Sequence, residues 1–389
     1  MTASHDKDFR VLHVITGLGG GGAEAALFRL ATAMPDPTRV HVVSLTGDGL
    51  YASRLRNIGV PVTTLGAGSA LSLLRSIPAL IRILRSSGAD IVQTWMYHAD
   101  LIGGIAARIG GRPVCWGVRA ASFDPTRNKK STLMVARICA RLSRLIPAAV
   151  VSPSQAAIVL HRSMGYAGRF ELIPNGYDFA ALRPDAEAGA SFRIATGVPA
   201  TARVIGHLAR ADPLKDHPSL LKAFAIVADD RPDVWLLMAG AGLERGEPYL
   251  DTLLAGHPFA DRIVGVGRRD DIRAVMNAMD VFVLSSAGEA FPNVVAEAMA
   301  CAVPCVVTDV GDAALIVDGT GWVVPPLAPD RLAQALGVAI DEPSFDRARR
   351  GEQARISVLG RFGLDRMAAA YRALWHEIAR VRVEASLGT

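Results

Sequence analysis

Short apolar runs alternate with helix-spaced stretches along the whole chain, and this alternation constrains the fold more than any single residue does. Runs at residues 10–16, 40–45, 60–65, 91–94, 114–116 and 149–152 read as strands. A helix to about residue 34 follows the first of them, and further helical patterns lie at 50–58, 73–85 (one helix running through Pro78) and the glycine-rich 101–109. Residues 170–176 run from a strand into a turn. The alternation then restarts, with strands at 203–208, 234–239, 263–266, 281–284, 304–308 and 321–324 and helices at 219–228, 249–254, 271–279 and 289–300. Short strands separated by helices predict α/β domains, each a mostly parallel sheet covered on both faces. A chain of 389 residues has room for two. The Pro/Asp/Ala/Gly-rich stretch 174–200 separates them. That predicts one domain over 1–174, a second over 175–362, and a final helix over 363–389 that packs back on the first. Two such domains face to face put the ligand in the interdomain cleft, at the carboxyl ends of the strands.

Composition enters through charge. Half the residues are apolar and a fifth charged, as in a globular rather than a disordered chain. Residues 1–175 carry 20 Lys/Arg against 9 Asp/Glu, and the remainder 22 against 28. The basic part is expected to meet something anionic. No interleaved aromatics or binding motif argue for nucleic acid, and an anionic membrane surface suits the charge at least as well. Residues 130–145 read as a helix with Arg137, Arg141 and Arg144 on one stripe and Met134, Ile138, Leu142 and Leu145 on another. Two readings stay open: a solvated basic face, or a surface that touches anionic lipid. Cys115, Cys139, Cys301 and Cys305 read as reduced core thiols. The C-x3-C pair Cys301/Cys305 has no histidine or second pair nearby to make a zinc site. The polar stretch 1–8 and the lack of any apolar run near 18 residues predict a cytoplasmic protein with no signal segment or membrane span.

Residues that carry chemistry fall where strands end. Within the 289–300 stretch Pro292 sits where a helix could begin, so Glu289 lies in the loop after the 281–284 strand, beside Gly288, and Glu297 about two turns into the helix. Two acids bracketing the end of a strand suit a ligand with many hydroxyls. Gly17-x-Gly19-x-x-Gly22 has the spacing of a dinucleotide loop, but no acid stands at the end of the second strand, so a nicotinamide cofactor is not expected. Gly20, Gly21 and Gly22, leading into a helix, still suit an anionic group approaching the backbone closely. Glu24, in that helix's first turn, reads equally as a partner of the helix dipole or as a ligand group. Arg210 and Lys215, in the loop after the 203–208 strand, read as a diphosphate clamp or as ordinary surface charges. His98 and Arg119 follow two strands of the first domain and read as ligand contacts or as structural residues. His13, within the first strand, reads as a core or rim histidine.

With these residues in hand, the chain resembles glycosyltransferase family 4, retaining nucleotide-sugar transferases with two facing Rossmann-like domains, the GT-B fold. The resemblance spans about residues 10–380. Its E-x7-E motif is Glu289 to Glu297 within Gly-Glu-Ala-Phe-Pro-Asn-Val-Val-Ala-Glu-Ala-Met-Ala. It stands in family order with Gly21-Gly22-Ala23-Glu24, Ile173-Pro174-Asn175-Gly176, Arg210 and Lys215, and Thr308-Asp309-Val310-Gly311. The pieces Gln93-Thr94-Trp95-Met96-Tyr97-His98-Ala99-Asp100 and Trp116-Gly117-Val118-Arg119 resemble the branch found with bacterial capsule and exopolysaccharide assembly.

The resemblance implies roles residue by residue. Arg210 and Lys215 would clamp the donor diphosphate, Glu297 would hold the ribose, and Glu289 would hold donor-sugar hydroxyls with help from backbone near Phe291, Asn293 and Val294. The loop Gly20 to Gly22 would close over the phosphates. Many relatives carry a histidine where Arg119 stands, so His98 and Arg119 both remain candidates for the side chain at the reacting carbon. No metal is implied. The implied reaction is front-face displacement, with the donor phosphate helping to deprotonate the acceptor and the protein supplying position and charge. The donor would be a UDP- or GDP-sugar. The acceptor would be a lipid-linked saccharide at the inner face of the cytoplasmic membrane, in cell-surface polysaccharide synthesis. The competing readings are a nucleotide-sugar epimerase of the same architecture and a non-catalytic sugar-nucleotide-binding partner.

Overall fold

A computed structural model describes residues 9–120, 123 and 129–387; the polar stretch 1–8 lies outside the described residues. Strands β1 (Val11–Ile15), β2 (Val40–Ser44), β3 (Val62–Thr64), β4 (Ile91–Trp95), β5 (Val114–Gly117), β6 (Ala149–Ser152) and β7 (Phe170–Leu172) form one sheet, in the order β3-β2-β1-β4-β5-β6-β7. Strands β8 (Arg203–Leu208), β9 (Val234–Ala239), β10 (Ile263–Gly265), β11 (Val281–Leu284), β12 (Cys305–Thr308) and β13 (Trp322–Val324) form another, in the order β10-β9-β8-β11-β12-β13. Every pairing in both is parallel. These are two Rossmann-like α/β units.

The period-two alternation of strand side chains explains why the central strands are apolar throughout. In β1, Val11 and Ile15 enter one apolar cluster while Leu12 and Val14 enter the cluster on the other face. In β11, Phe282 and Leu284 go to one cluster and Val281 and Val283 to the other. Each sheet therefore has a core on both faces.

One unit comprises the chain up to Gly176 together with Leu364 onward, and the other comprises Tyr177–Gly363. The last helix (Leu364–Leu387) belongs to the first unit because of its spacing. Met367, Ala368, Tyr371, Leu374, Trp375 and Ile378 fall on one helical face and enter the cluster that β1 lines with Val11 and Ile15.

Two local expectations are corrected. Residues 73–85 are not one helix: Ala70–Arg75 ends before Ile77–Ser87, in which Pro78 occupies the first turn. Proline lacks the N–H that a helix interior needs and is tolerated only at such a start. The helix after β11 begins at Asn293, next to Pro292 where a helix could begin, and not at the 289 end of the 289–300 stretch. Pro292 disfavours helical backbone at Phe291, so 285–292 remain a loop.

Each sheet has one place where the strand order reverses. In the first unit it lies between β1 and β4, and in the second between β8 and β11. Loops leave neighbouring strands there in opposite directions, opening a crevice at the carboxyl ends where doubly wound sheets hold ligands.

Candidate functional site

The second unit's reversal point gathers residues from two loops. After β8, Asp212 caps the short turn Pro213–Lys215 by accepting from the Leu214 N–H at 2.9 Å. Asp216 then turns the chain at φ 47° into the helix His217–Ala228. After β11, the Ser285 hydroxyl donates to the Lys215 carbonyl at 2.7 Å and the Ala287 N–H to the Leu214 carbonyl at 2.8 Å. The two loops are thereby fastened side by side.

Their charged residues meet. Lys215 Nζ lies 2.5 Å from Glu289 Oε1, and the Ser286 hydroxyl donates to the same oxygen at 2.8 Å. The two side chains are only 18% and 13% exposed, so the pair sits in the wall of the crevice rather than on a solvated face. Sequence reasoning placed Lys215 at a phosphate end and Glu289 at a separate sugar end. The structure joins them because β8 and β11 are neighbours in the sheet. Arg210 behaves differently. It is 64% exposed and pairs with Asp212 Oδ2 at 2.7 Å, a surface ion pair rather than a wall residue.

The helix that follows the loop completes the wall. No side chain caps the start of Asn293–Ala300 and no acid stands in its first turn, so the positive end of its dipole favours an anion. Glu297, half-buried, lies just past that first turn. Phe291 is buried and meets Phe362 edge-on at 5.4 Å, and the Asn293 side-chain oxygen accepts from the Tyr177 hydroxyl at 2.6 Å. Gly288 and Val294 lie in the same loop and first turn. Gly311, at φ 56°, explains the Thr308-Asp309-Val310-Gly311 piece: a Cβ there would lie 2.5 Å from the Glu289 carbonyl and 2.4 Å from that of Ala290. Beneath the Lys215 loop, His207 and His217 pack at 5.0 Å between ring centroids. Burial pushes their pKa down to about 4 and about 3, so both are neutral under Lys215.

The first unit's reversal point holds the glycine loop and His98. The helix Gly22–Thr32 follows the loop, and the Glu24 carboxylate folds back over it: a Cβ on Gly21 would lie 2.6 Å from Glu24 Oε2. Gly20 and Gly22 are exposed. His98 is half-buried in the first turn of the helix Tyr97–Ile109, and burial lowers its pKa. Arg119 is tethered. Its Nη1 donates to Asn175 Oδ1 at 2.7 Å and its Nη2 to the Tyr371 hydroxyl at 3.4 Å, while the guanidinium lies 4.7 Å over the Trp95 ring. His13 is a core residue. It accepts from Trp95 Nε1 at 2.9 Å, and burial takes its pKa to about 3.

Sequence reasoning missed Ser285, Ser286, Tyr177 and Asn175 as site-building residues. The small polar pair at the end of β11 was a usable signal, since a strand-end loop that approaches another backbone needs short hydroxyls. Nothing local marks Tyr177. Among the described residues no group of three or more His, Cys, Asp or Glu is placed to hold a metal ion.

Residues 20–181 match the family described as Glycosyltransferase Family 4, and residues 202–342 match glycosyl transferases group 1. The chain is 28% identical over 313 residues to the putative glycosyltransferase EpsF of Bacillus subtilis, covering 77% of this chain and 79% of that protein. It is 26% identical over 251 residues to the UDP-Gal:alpha-D-GlcNAc-diphosphoundecaprenol alpha-1,3-galactosyltransferase of Escherichia coli, covering 62% and 63%. A D-inositol 3-phosphate glycosyltransferase of Mycolicibacterium gilvum is 34% identical over 199 residues, but the match spans only 44% of that protein. Among solved structures, Anabaena HepE in complex with UDP superposes with a TM-score of 0.83 at 23% identity, covering 95% of this chain and 100% of that one. The same protein with UDP-glucose gives 0.80 at 24% identity, covering 96% and 99%.

Proposed function

The chain belongs to glycosyltransferase family 4 and is a glycosyltransferase of GT-B architecture, and we propose that it moves a sugar from a UDP-sugar to a lipid-linked saccharide with retention of configuration. The observation that carries this reading is the Lys215–Glu289 pair beside a helix start that no side chain caps, at the reversal point of the second sheet. In this reading Lys215 and the first-turn N–H groups of Asn293–Ala300 take the donor diphosphate and stabilise the charge that develops on it as the glycosidic bond breaks. Arg210, exposed on the same loop, exchanges Asp212 for a phosphate oxygen. Glu289 keeps one oxygen on Lys215 and Ser286 and uses the other for a donor-sugar hydroxyl, while Glu297 holds the ribose. The two acids orient the donor and do not act as nucleophiles. The catalytic contribution is then positioning and charge stabilisation.

A uridine donor is favoured over guanosine because a relative is named for UDP-Gal and the HepE structures hold UDP and UDP-glucose. That relative's diphosphoundecaprenol substrate likewise supports a polyprenyl-diphosphate-linked acceptor, and the similarity to EpsF supports a place in exopolysaccharide assembly. Either His98 or Arg119 serves the acceptor side in the first unit. The proposal includes peripheral docking on the inner face of the cytoplasmic membrane through Arg137, Arg141 and Arg144. All three are exposed, and Met134 and Leu145 beside them are 58% and 69% exposed. Among the described residues no helix is long and apolar enough to cross a membrane.

The test is a panel of UDP- and GDP-sugars screened by thermal shift, with hits assayed for transfer to a polyprenyl-diphosphate saccharide and the product anomer read by NMR. A UDP-sugar is expected to stabilise the protein and to be consumed. Glu289→Ala and Lys215→Ala are each expected to lower turnover by about a hundredfold or more without loss of the fold. Near-normal turnover in either variant would sink the site assignment.

A further inference from the structure

The chain leaves the first unit at Gly176 and re-enters it at Leu364. The residues on the second-unit side of both crossings are in contact with each other. The Tyr177 N–H donates to the Phe362 carbonyl at 2.9 Å, and Tyr177 forms an isolated parallel bridge with Gly363. Each of these crossing residues also reaches the loop between Glu289 and Glu297. The Tyr177 hydroxyl donates to Asn293 Oδ1 at 2.6 Å, and the Phe362 ring meets Phe291 edge-on at 5.4 Å. Phe291 and Asn293 flank Pro292, the residue at which the helix Asn293–Ala300 starts. That helix start is therefore held from outside at both of its flanks.

We propose that Tyr177 is a positioning residue for the donor site: its hydroxyl, acting through Asn293, sets the first turn of Asn293–Ala300 relative to Glu289. The inference rests on the donor role given above to that turn. Tyr177 is 1% exposed and its ring lies in the apolar cluster of the second unit. Packing alone would be served as well by phenylalanine. The hydroxyl is the part that packing does not require, and a buried hydroxyl is retained where it has a partner to hold. Asn293 opens the helix, so fixing its side chain fixes the backbone N–H groups that follow. A site that stabilises charge by preorganised N–H groups loses rate when those groups are free to shift by a fraction of an ångström.

The decisive variant is Tyr177→Phe, which keeps the ring and removes only the hydroxyl. Hydrogen–deuterium exchange over residues 288–296 is expected to accelerate. With a UDP-sugar donor, kcat is expected to fall roughly tenfold while the affinity for UDP alone stays within about twofold. Asn293→Ala is expected to reproduce the fall in kcat, and the double variant to be no slower than the slower single variant. Exchange over 288–296 that matches the wild type overturns the proposal, as does an unchanged kcat or a double variant whose losses multiply. A wild-type protein that binds no nucleotide sugar counts instead against the donor reading, and the exchange experiment still decides whether Tyr177 holds the loop.

Discussion

Asp100 shows how one buried group makes this fold sensitive to pH. It lies fully buried on the helix Tyr97–Ile109, where its Oδ1 accepts from the Thr94 hydroxyl at 2.5 Å and the Gly117 N–H at 3.1 Å. Burial outweighs those two bonds and pushes its pKa up to about 8. Tyr97, Cys139 and Tyr166 are the titratable neighbours, and burial raises the pKa of all three, so none supplies a compensating positive charge. The folded form thus holds a proton that the unfolded chain releases near the ordinary aspartate value. Its stabilising contribution is fully present below about pH 4 and is lost as the pH rises towards 8. Between pH 5 and pH 8 the loss is on the order of 2–4 kcal/mol. Asp100→Asn, which imitates the protonated acid, is expected to flatten that slope in denaturant melts at the two pH values. Parallel slopes for wild type and variant would show that the site is not what sets the dependence. Lys215 and Glu289 are the contrasting case. Each has the other as a partner within hydrogen-bond distance, whereas Asp100 has only neutral donors.

Among the elements, the loop after β11 owes its shape to three separate supports rather than to its own sequence. Ser285 and Ala287 fasten it to the Lys215 loop, Phe362 and Tyr177 hold its far end, and the turn at Gly311 presses on its middle. The Asp312 N–H also donates to the Ala290 carbonyl at 2.9 Å. Gly311 combines a left-handed φ with backbone oxygens at 2.4 and 2.5 Å from where a Cβ would sit. Backbone cannot yield as a flexible side chain can, so both the φ and the contact disfavour any other residue. Gly311→Ala is expected to cost roughly 1–3 kcal/mol of stability, read as a lowered melting temperature, and to reduce donor turnover more than tenfold. An alanine variant with wild-type turnover would mean that the loop tolerates displacement and that its fastening does not matter to the chemistry. The helix starts at Asn293 and not at 289 for a reason readable at one residue. Pro292 ends any helix that would pass through it from the amino side.

At the scale of the molecule, the charge imbalance between the first 175 residues and the rest is long-range information that no single motif contains. The basic stripe on the helix Lys130–Leu142 continues to Arg144, with Leu133, Ala136, Cys139 and Ala140 on the buried face. Basic and apolar groups exposed together suit an anionic bilayer better than solvent alone. The partition constant onto vesicles containing anionic lipid, read by cosedimentation, is expected to fall roughly a hundredfold for an Arg137→Ser/Arg141→Ser/Arg144→Ser variant, about 1 kcal/mol being lost per arginine, and to fall with rising salt. Equal sedimentation of the two proteins would remove the membrane from the proposal. The sequence by itself determined the fold class, because strand and helix periodicities are local and burial on both faces demands continuous apolar strands. It also determined which loops hold charge. The tertiary structure alone decided which of those charges meet. Lys215 and Glu289, 74 positions apart, become a pair because β8 lies beside β11. Tyr177 and Asn293, 116 positions apart, meet at a crossing that no local pattern announces. Strand order and side-chain pairing follow from long-range packing, which the local spacing of residues does not encode.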